Sequence, residues 1–117
     1  FGGHPVCCAA GLAALEYTLS EGLMEQAESK GALYEKLLAD HPLVREIRRV
    51  GLLLAVEFRD AELTARIVWD AVEAGLMTEW FMFHETAMRI APPLTITPSE
   101  IEESCAILRK VMDQVKR

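Results

Sequence analysis

The hydrophobic pattern changes character several times along the chain. From Val6 to Leu15 it is apolar nearly all round, and many positions are small: Ala9, Ala10, Gly11, Ala13 and Ala14. Pro5 suits a first helical position, where a missing N–H costs nothing, so a helix is predicted over residues 5–19 with Gly2-Gly3 as its entry turn. A helix without a polar face is buried on several sides. A chain of 117 residues can hardly surround one of its own helices. The segment 1–20 is therefore expected to form an interface with another domain or another subunit.

From Glu21 to Ala39 the pattern is amphipathic, with Leu23, Ala27, Tyr34 and Leu38 on one face, and His41-Pro42 ends it. Residues 44–50 and 52–58 read as two strands about Gly51, with Leu52, Leu54, Val56 and Phe58 on one face and Glu57 on the other. The pattern leaves open whether Gly51 makes a tight turn or a bulge in one bent strand. Asp60 suits the N-cap of a helix over 61–74, which Gly75 closes in the left-handed conformation. Residues 76–78 are predicted as a short strand, 79–85 as a loop or ragged edge, and 86–91 as a further strand stopped by Pro92-Pro93. Thr97, Pro98 and Glu100 supply a capping box, after which Ile101, Cys105, Leu108, Met112 and Val115 recur at helical spacing. The order ααββαββα predicts an α+β fold, a small antiparallel or mixed sheet with helices covering one face. A single domain across residues 1–117 is expected.

Composition narrows the partners. With 51% hydrophobic and 26% charged residues the chain suits a globular fold and neither a disordered tail nor a disulfide scaffold. The net charge is −6 and the basic residues are scattered, which argues against nucleic acid as a partner. No apolar run reaches the roughly 18 residues of a membrane helix, so no membrane partner is expected. The three cysteines are odd in number and Cys7 and Cys8 are neighbours, so they read as reduced thiols of a cytoplasmic protein. With no histidine cluster beside them, a metal site is not expected. The chain opens on Phe1 rather than Met, which reads either as processing or as a piece of a longer protein.

Three features could carry chemistry. Phe1-Gly2-Gly3-His4-Pro5 precedes a helix, where backbone donors and the helix dipole can hold an anion; the alternative is a frayed chain end. Arg89 lies within an apolar strand, and its planar fork suits a substrate carboxylate; the alternative is a wet edge-strand position paired with a nearby Glu. Cys7 and Cys8 with His4 and His84 allow a Cys–His nucleophilic couple, against thiols that merely pack in a small-residue helix. Trp80, Phe81 and Phe83 suit a ligand stack or the cover of a subunit contact.

Phe1-Gly2-Gly3-His4-Pro5 followed by Cys8-Ala9-Ala10 and Ala13-Ala14-Leu15-Glu16 resembles the segment that opens the C-terminal part of class III pyridoxal-phosphate-dependent aminotransferases, the family of the ornithine, acetylornithine and 4-aminobutyrate enzymes. Val44 to Glu57 resembles the family's next landmark and Met88-Arg89-Ile90-Ala91-Pro92-Pro93-Leu94-Thr95-Ile96-Thr97 its last, in the family's order. The resemblance implies the C-terminal small domain of a longer aminotransferase. Phe1, Gly2 and Gly3 would lie near the phosphate of pyridoxal phosphate, and Arg89 would grip the carboxylate of glutamate or 2-oxoglutarate free of any acid of its own chain. The substrates implied are small amino acids or amines and 2-oxo acids, and the assembly a homodimer, or self-association through residues 5–19. The family's cofactor lysine lies upstream and no lysine here stands in a matching motif, so no catalytic residue is assigned, and the chain alone is expected neither to hold the cofactor nor to transfer amino groups. His4 and Arg49 depart from the more usual Asn and Gly. The rival reading is a non-catalytic α+β ligand-binding or dimerisation module in which Arg89 is structural.

Overall fold

A computed structural model describes residues 2–115 of the chain, so Phe1 lies outside the described residues. Four helices and four strands follow one another: α1 (Pro5–Ser20), α2 (Leu23–Leu38), β1 (Glu46–Val50), β2 (Leu53–Glu57), α3 (Ala61–Glu73), β3 (Glu79–Phe81), β4 (His84–Ile90) and α4 (Pro98–Val115). The strands form one antiparallel sheet in the order β1-β2-β4-β3. The fold is α+β with the predicted element order.

The register places Ile47, Val56, Met88 and Trp80 in one row across the sheet, and Arg49, Leu54 and Ile90 in the next such row. This is the face the helices cover. Helix α2 lies against β1, α3 against β3 and β4, and α4 packs beside both α2 and α3. Leu38, Leu54, Val56, Phe58, Ile67, Met88, Ile101, Leu108 and Met112 are buried in a single core. Asp60 accepts a hydrogen bond from the Leu63 N–H at 2.8 Å as the N-cap of α3. Thr97 and Glu100 cap α4 reciprocally, as the S/T-x-x-E pattern requires.

Gly51 makes a tight turn. It has φ +54 and opens a two-residue loop between the paired Val50 and Leu53, the sign of φ that matches the twist of the flanking strands. Helix α2 comes so close at this turn that a Cβ on Gly31 would overlap the Gly51 carbonyl oxygen. Arg49 fastens the same contact, its Nε and Nη1 donating to Glu35 and Glu28 of α2 at 2.7 Å each.

The strand predicted at residues 76–78 is instead a strand at Glu79–Phe81, inside the stretch read as a loop. The cause is the end of α3. Gly75 N–H donates to the Val72 carbonyl and Leu76 N–H to the Ala71 carbonyl, so Leu76 completes the helix cap and cannot begin a strand. Pairing starts where Glu79 meets Arg89, and β4 begins at His84 rather than Thr86.

Helix α1 has no buried residue; Val6, Leu12, Leu15 and Leu19 are each more than half exposed. It meets α2 beyond Gly22, which has φ +59. The described residues span 52 Å in their longest dimension.

Two glycine replacements separate tight contact from open space. Gly31→Ala is expected to destabilise the chain by about 1–3 kcal/mol, because the backbones of α2 and the β1–β2 turn must part. Gly11→Ala in α1 meets nothing within 4 Å and is expected to stabilise by about 0.5–1 kcal/mol through helix propensity. Urea unfolding of the two variants checks both signs.

Candidate functional site

The sheet face turned away from the helices carries a different row: Arg48, Ala55, Arg89 and Glu79, one residue from each strand in direct register. A cleft of about 1050 Å³ follows this face and the β3–β4 hairpin, touching Arg48, Arg89, Trp69, Trp80 and Phe83. Trp69 of α3 and Trp80 of β3 meet edge to face with ring centres 6.2 Å apart.

Two guanidiniums of this row stand in different situations. Arg48 donates to Glu46 at 2.7 Å and to Glu57 at 2.8 Å. Glu57 is largely buried and also accepts from His84 Nε2 at 2.8 Å and from the Thr86 hydroxyl. Burial raises the Glu57 carboxyl, but the donors Thr86, Arg48 and His84 outweigh it and hold the group at about 2. Arg89 is ion-paired with Glu79, with side chains 44% and 56% exposed, so this pair stands in water. The Arg89 backbone is fixed separately, its carbonyl accepting from the Thr78 hydroxyl at 2.7 Å. The expectation that Arg89 would stand free of any acid of its own chain is corrected: register places Glu79 directly opposite, where a Glu and an Arg side chain meet.

The Gly2-Gly3 turn precedes α1, which packs against α2. Gly3 has φ +81, and an added Cβ at either glycine would meet nothing within 4 Å. His4 occupies the N-cap of α1 without a side-chain hydrogen bond, so the helix start keeps backbone donors free of a side-chain cap. Cys7 and Cys8 are exposed on α1, and His84 is engaged with Glu57. Among the described residues no hydrogen bond joins a cysteine thiol to a histidine ring, so the structure brings no Cys–His couple together. The Cys105 thiol is buried, which pushes it up to about 12 and makes it a packing atom. Among the described residues no cluster of metal-ligating side chains occurs.

Glu79 and Glu57 were not singled out as site residues from the sequence. Their roles depend on which strand residues face each other, and no local pattern records that. The one usable signal was Glu57 itself, an acid on the face of β2 opposite Leu54 and Val56.

Comparison with known proteins is decisive about the family. Residues 1–112 match the family model of class III aminotransferases. The chain belongs to that family. An acetylornithine aminotransferase of Caldanaerobacter subterraneus subsp. tengcongensis is 36% identical over 120 residues, covering 99% of this chain and 30% of that protein. A putrescine aminotransferase of Pectobacterium atrosepticum is 35% identical over 123 residues, covering 100% of this chain and 25% of that protein. Among solved structures, an acetylornithine aminotransferase from Elizabethkingia anophelis superposes with TM-score 0.85 at 32% identity, over 97% of this chain and 31% of that one. The chain therefore spans less than a third of the length of these class III relatives.

Class III aminotransferases use pyridoxal phosphate. The residues present fit one part of it. A glycine turn with open space around it, before a helix start without a side-chain cap, suits a phosphate group held by backbone N–H groups. Of the described lysines, Lys30 is buried with Nζ donating to the Leu94 carbonyl at 2.7 Å, while Lys36 and Lys110 stand exposed on helices.

The Glu57 cluster makes a pH-dependent contribution with a definite sign. Its native carboxyl lies below the ordinary value of 4.5, so its stabilisation is fully present above about 4.5 and is lost as pH falls toward about 2. Glu57→Gln is expected to lower stability at neutral pH and to flatten the acid limb in that window, read from unfolding midpoints at a series of pH values.

Proposed function

We propose that this chain is the C-terminal small domain of a pyridoxal-phosphate-dependent aminotransferase that moves an amino group between an amino acid or amine, of the ornithine or acetylornithine type, and 2-oxoglutarate. The observation that carries the reading is Arg89. It is a solvent-reaching guanidinium on the uncovered sheet face, at the Arg of the Arg-x-x-Pro-Pro pattern, with its backbone held and its side chain in an exposed ion pair with Glu79. A guanidinium donates two parallel hydrogen bonds to a carboxylate, which fixes a substrate's orientation as well as binding it. Gly2 and Gly3, with Phe1 before them, would form the phosphate-side wall. The cofactor, when bound, supplies the electron sink for amino transfer; this chain's residues supply binding and orientation.

The ion pair between Arg89 and Glu79 favours the rival, a binding or dimerisation module in which Arg89 is structural. Magnitudes decide between them. A pair this exposed is worth about 0.2–1 kcal/mol. A charge-assisted bond to a substrate contributes about 1.5–3 kcal/mol, enough to displace it. The exposed apolar circumference of α1 supports burial against the rest of a longer protein or a second subunit, and we assign it that role in a cytoplasmic homodimer.

In the complete enzyme, Arg89→Lys is expected to weaken use of 2-oxoglutarate by roughly ten- to a hundred-fold while cofactor binding persists, as steady-state kinetics and cofactor absorbance would report. Unchanged kinetics for glutamate and 2-oxoglutarate would make Arg89 structural. The isolated chain is expected to self-associate through α1, and the double change Leu12→Glu and Leu15→Glu to shift it toward monomer in light scattering. A chain that stays monomeric at high concentration without those changes would count against the interface role.

A further inference from the structure

We infer that Thr78 is a positioning residue for carboxylate recognition: its hydroxyl clamps the main chain of Arg89 where the β3–β4 pairing ends, and so sets where that guanidinium stands. The inference rests on the reading of Arg89 as the carboxylate grip and adds a residue to it. The Thr78 hydroxyl donates to the Arg89 carbonyl at 2.7 Å. Among the described residues it is the only side chain that hydrogen-bonds the main chain of β4, and it makes no other side-chain hydrogen bond. Strand β3 has three residues and holds β4 through two in-register pairs, Glu79 with Arg89 and Trp80 with Met88, before the register shifts. The hydroxyl adds a third tie at the end of that short ladder, on the residue that carries the guanidinium. Thr78 also follows closely on Leu76, whose N–H closes the end of α3 on the Ala71 carbonyl, so the clamp joins Arg89 to the end of a packed helix. Thr78 and Arg89 together line both the large cleft and a neighbouring cavity of about 330 Å³.

Arg48, on the same sheet face, shows the contrast. Its guanidinium is fixed from the far end, by Glu46 and by a largely buried Glu57 that His84 and Thr86 also hold. The far end of Arg89 has only an exposed ion pair, which orients a long side chain weakly. Its placement therefore comes from the near end, through the main chain. A two-pronged hydrogen bond to a carboxylate demands geometry as well as charge. If the edge strand loosens at Arg89, the guanidinium samples a wider volume, and a carboxylate must order it on binding at a cost in affinity. That cost falls only on ligands that Arg89 holds. A substrate whose far end is an amine or an alkyl chain does not meet it.

The test uses the complete enzyme with glutarate, a dicarboxylate that has no oxo or amino group to react, and reads its Kd by calorimetry for Thr78→Val, Thr78→Ser, Arg89→Lys and the double variant Thr78→Val with Arg89→Lys. Valine matches threonine in shape and suits a strand, so Thr78→Val removes the donor and keeps the fold. It is expected to weaken glutarate by about two- to ten-fold, the worth of one neutral hydrogen bond. It should raise KM for 2-oxoglutarate by a similar factor, with kcat and the KM of an amine donor lacking a distal carboxylate unmoved. Thr78→Ser restores the donor and should bind glutarate as the parent does. In the Arg89→Lys background, Thr78→Val should add little, because the two residues act as one unit. A full additional loss in that background, an equal loss for the amine donor, no rescue by serine, or no effect of Thr78→Val while Arg89→Lys weakens glutarate would each overturn the positioning role and leave that of Arg89 standing. Glutarate binding indifferent to Arg89→Lys would remove the role of Arg89 itself, and the inference with it.

Discussion

Most of what this chain presents depends on the register between β2 and β4, the two central strands. With Leu54 opposite Ile90 and Val56 opposite Met88, one face of the sheet is committed to the helices. A slip of one residue would turn that apolar set outward and bring Ala55 and Arg89 against the core. Burying an unpaired guanidinium is far more costly than losing a methyl group, so the charged residue reinforces the register that the apolar residues select. The same choice leaves the row Arg48, Ala55, Arg89 and Glu79 on the face that the described helices do not cover, while Arg49 alone of the charged strand residues turns to α2.

The helices were legible in the sequence because their signals are local. Asp60, the Thr97–Glu100 box, Pro5 and Gly75 each act within a few residues of where they stand, and they sit at the ends observed. Element order and fold class followed from them. The strand at Glu79–Phe81 was misplaced because two local rules met there: a glycine-closed helix end takes up the next residue, and the remaining three strand residues have no period to read. Arg89 was visible as a charged residue in an apolar strand, but the identity of its partner is a property of pairing between strands. The Glu57 cluster was invisible for the same reason, since its donors come from residues 48, 84 and 86.

The two ends of the chain differ in how much they rely on themselves. Residues 23–115 form a core with helices on one side and capped ends, a unit with its own internal logic. Helix α1 contributes no buried residue to it. Its alanines and glycine favour close approach to another surface over packing of large side chains, and its hydrophobic character has no outlet in the described fold.

That arrangement has a mechanical consequence. A helix of 16 residues is a rod about 24 Å long, at 1.5 Å per residue. Its far end carries the Gly2-Gly3 turn, and its near end joins the folded unit through Gly22, a residue whose backbone is free to adopt conformations others resist. A rotation of about 10° at that joint would sweep the glycine turn through about 4 Å, given that rod length. Small adjustments of the folded unit are thus amplified into displacements on the scale of a hydrogen bond or more at the other end. The helix has the geometry of a lever, and the backbone angle at Gly22 sets the distance between the glycine turn and the sheet.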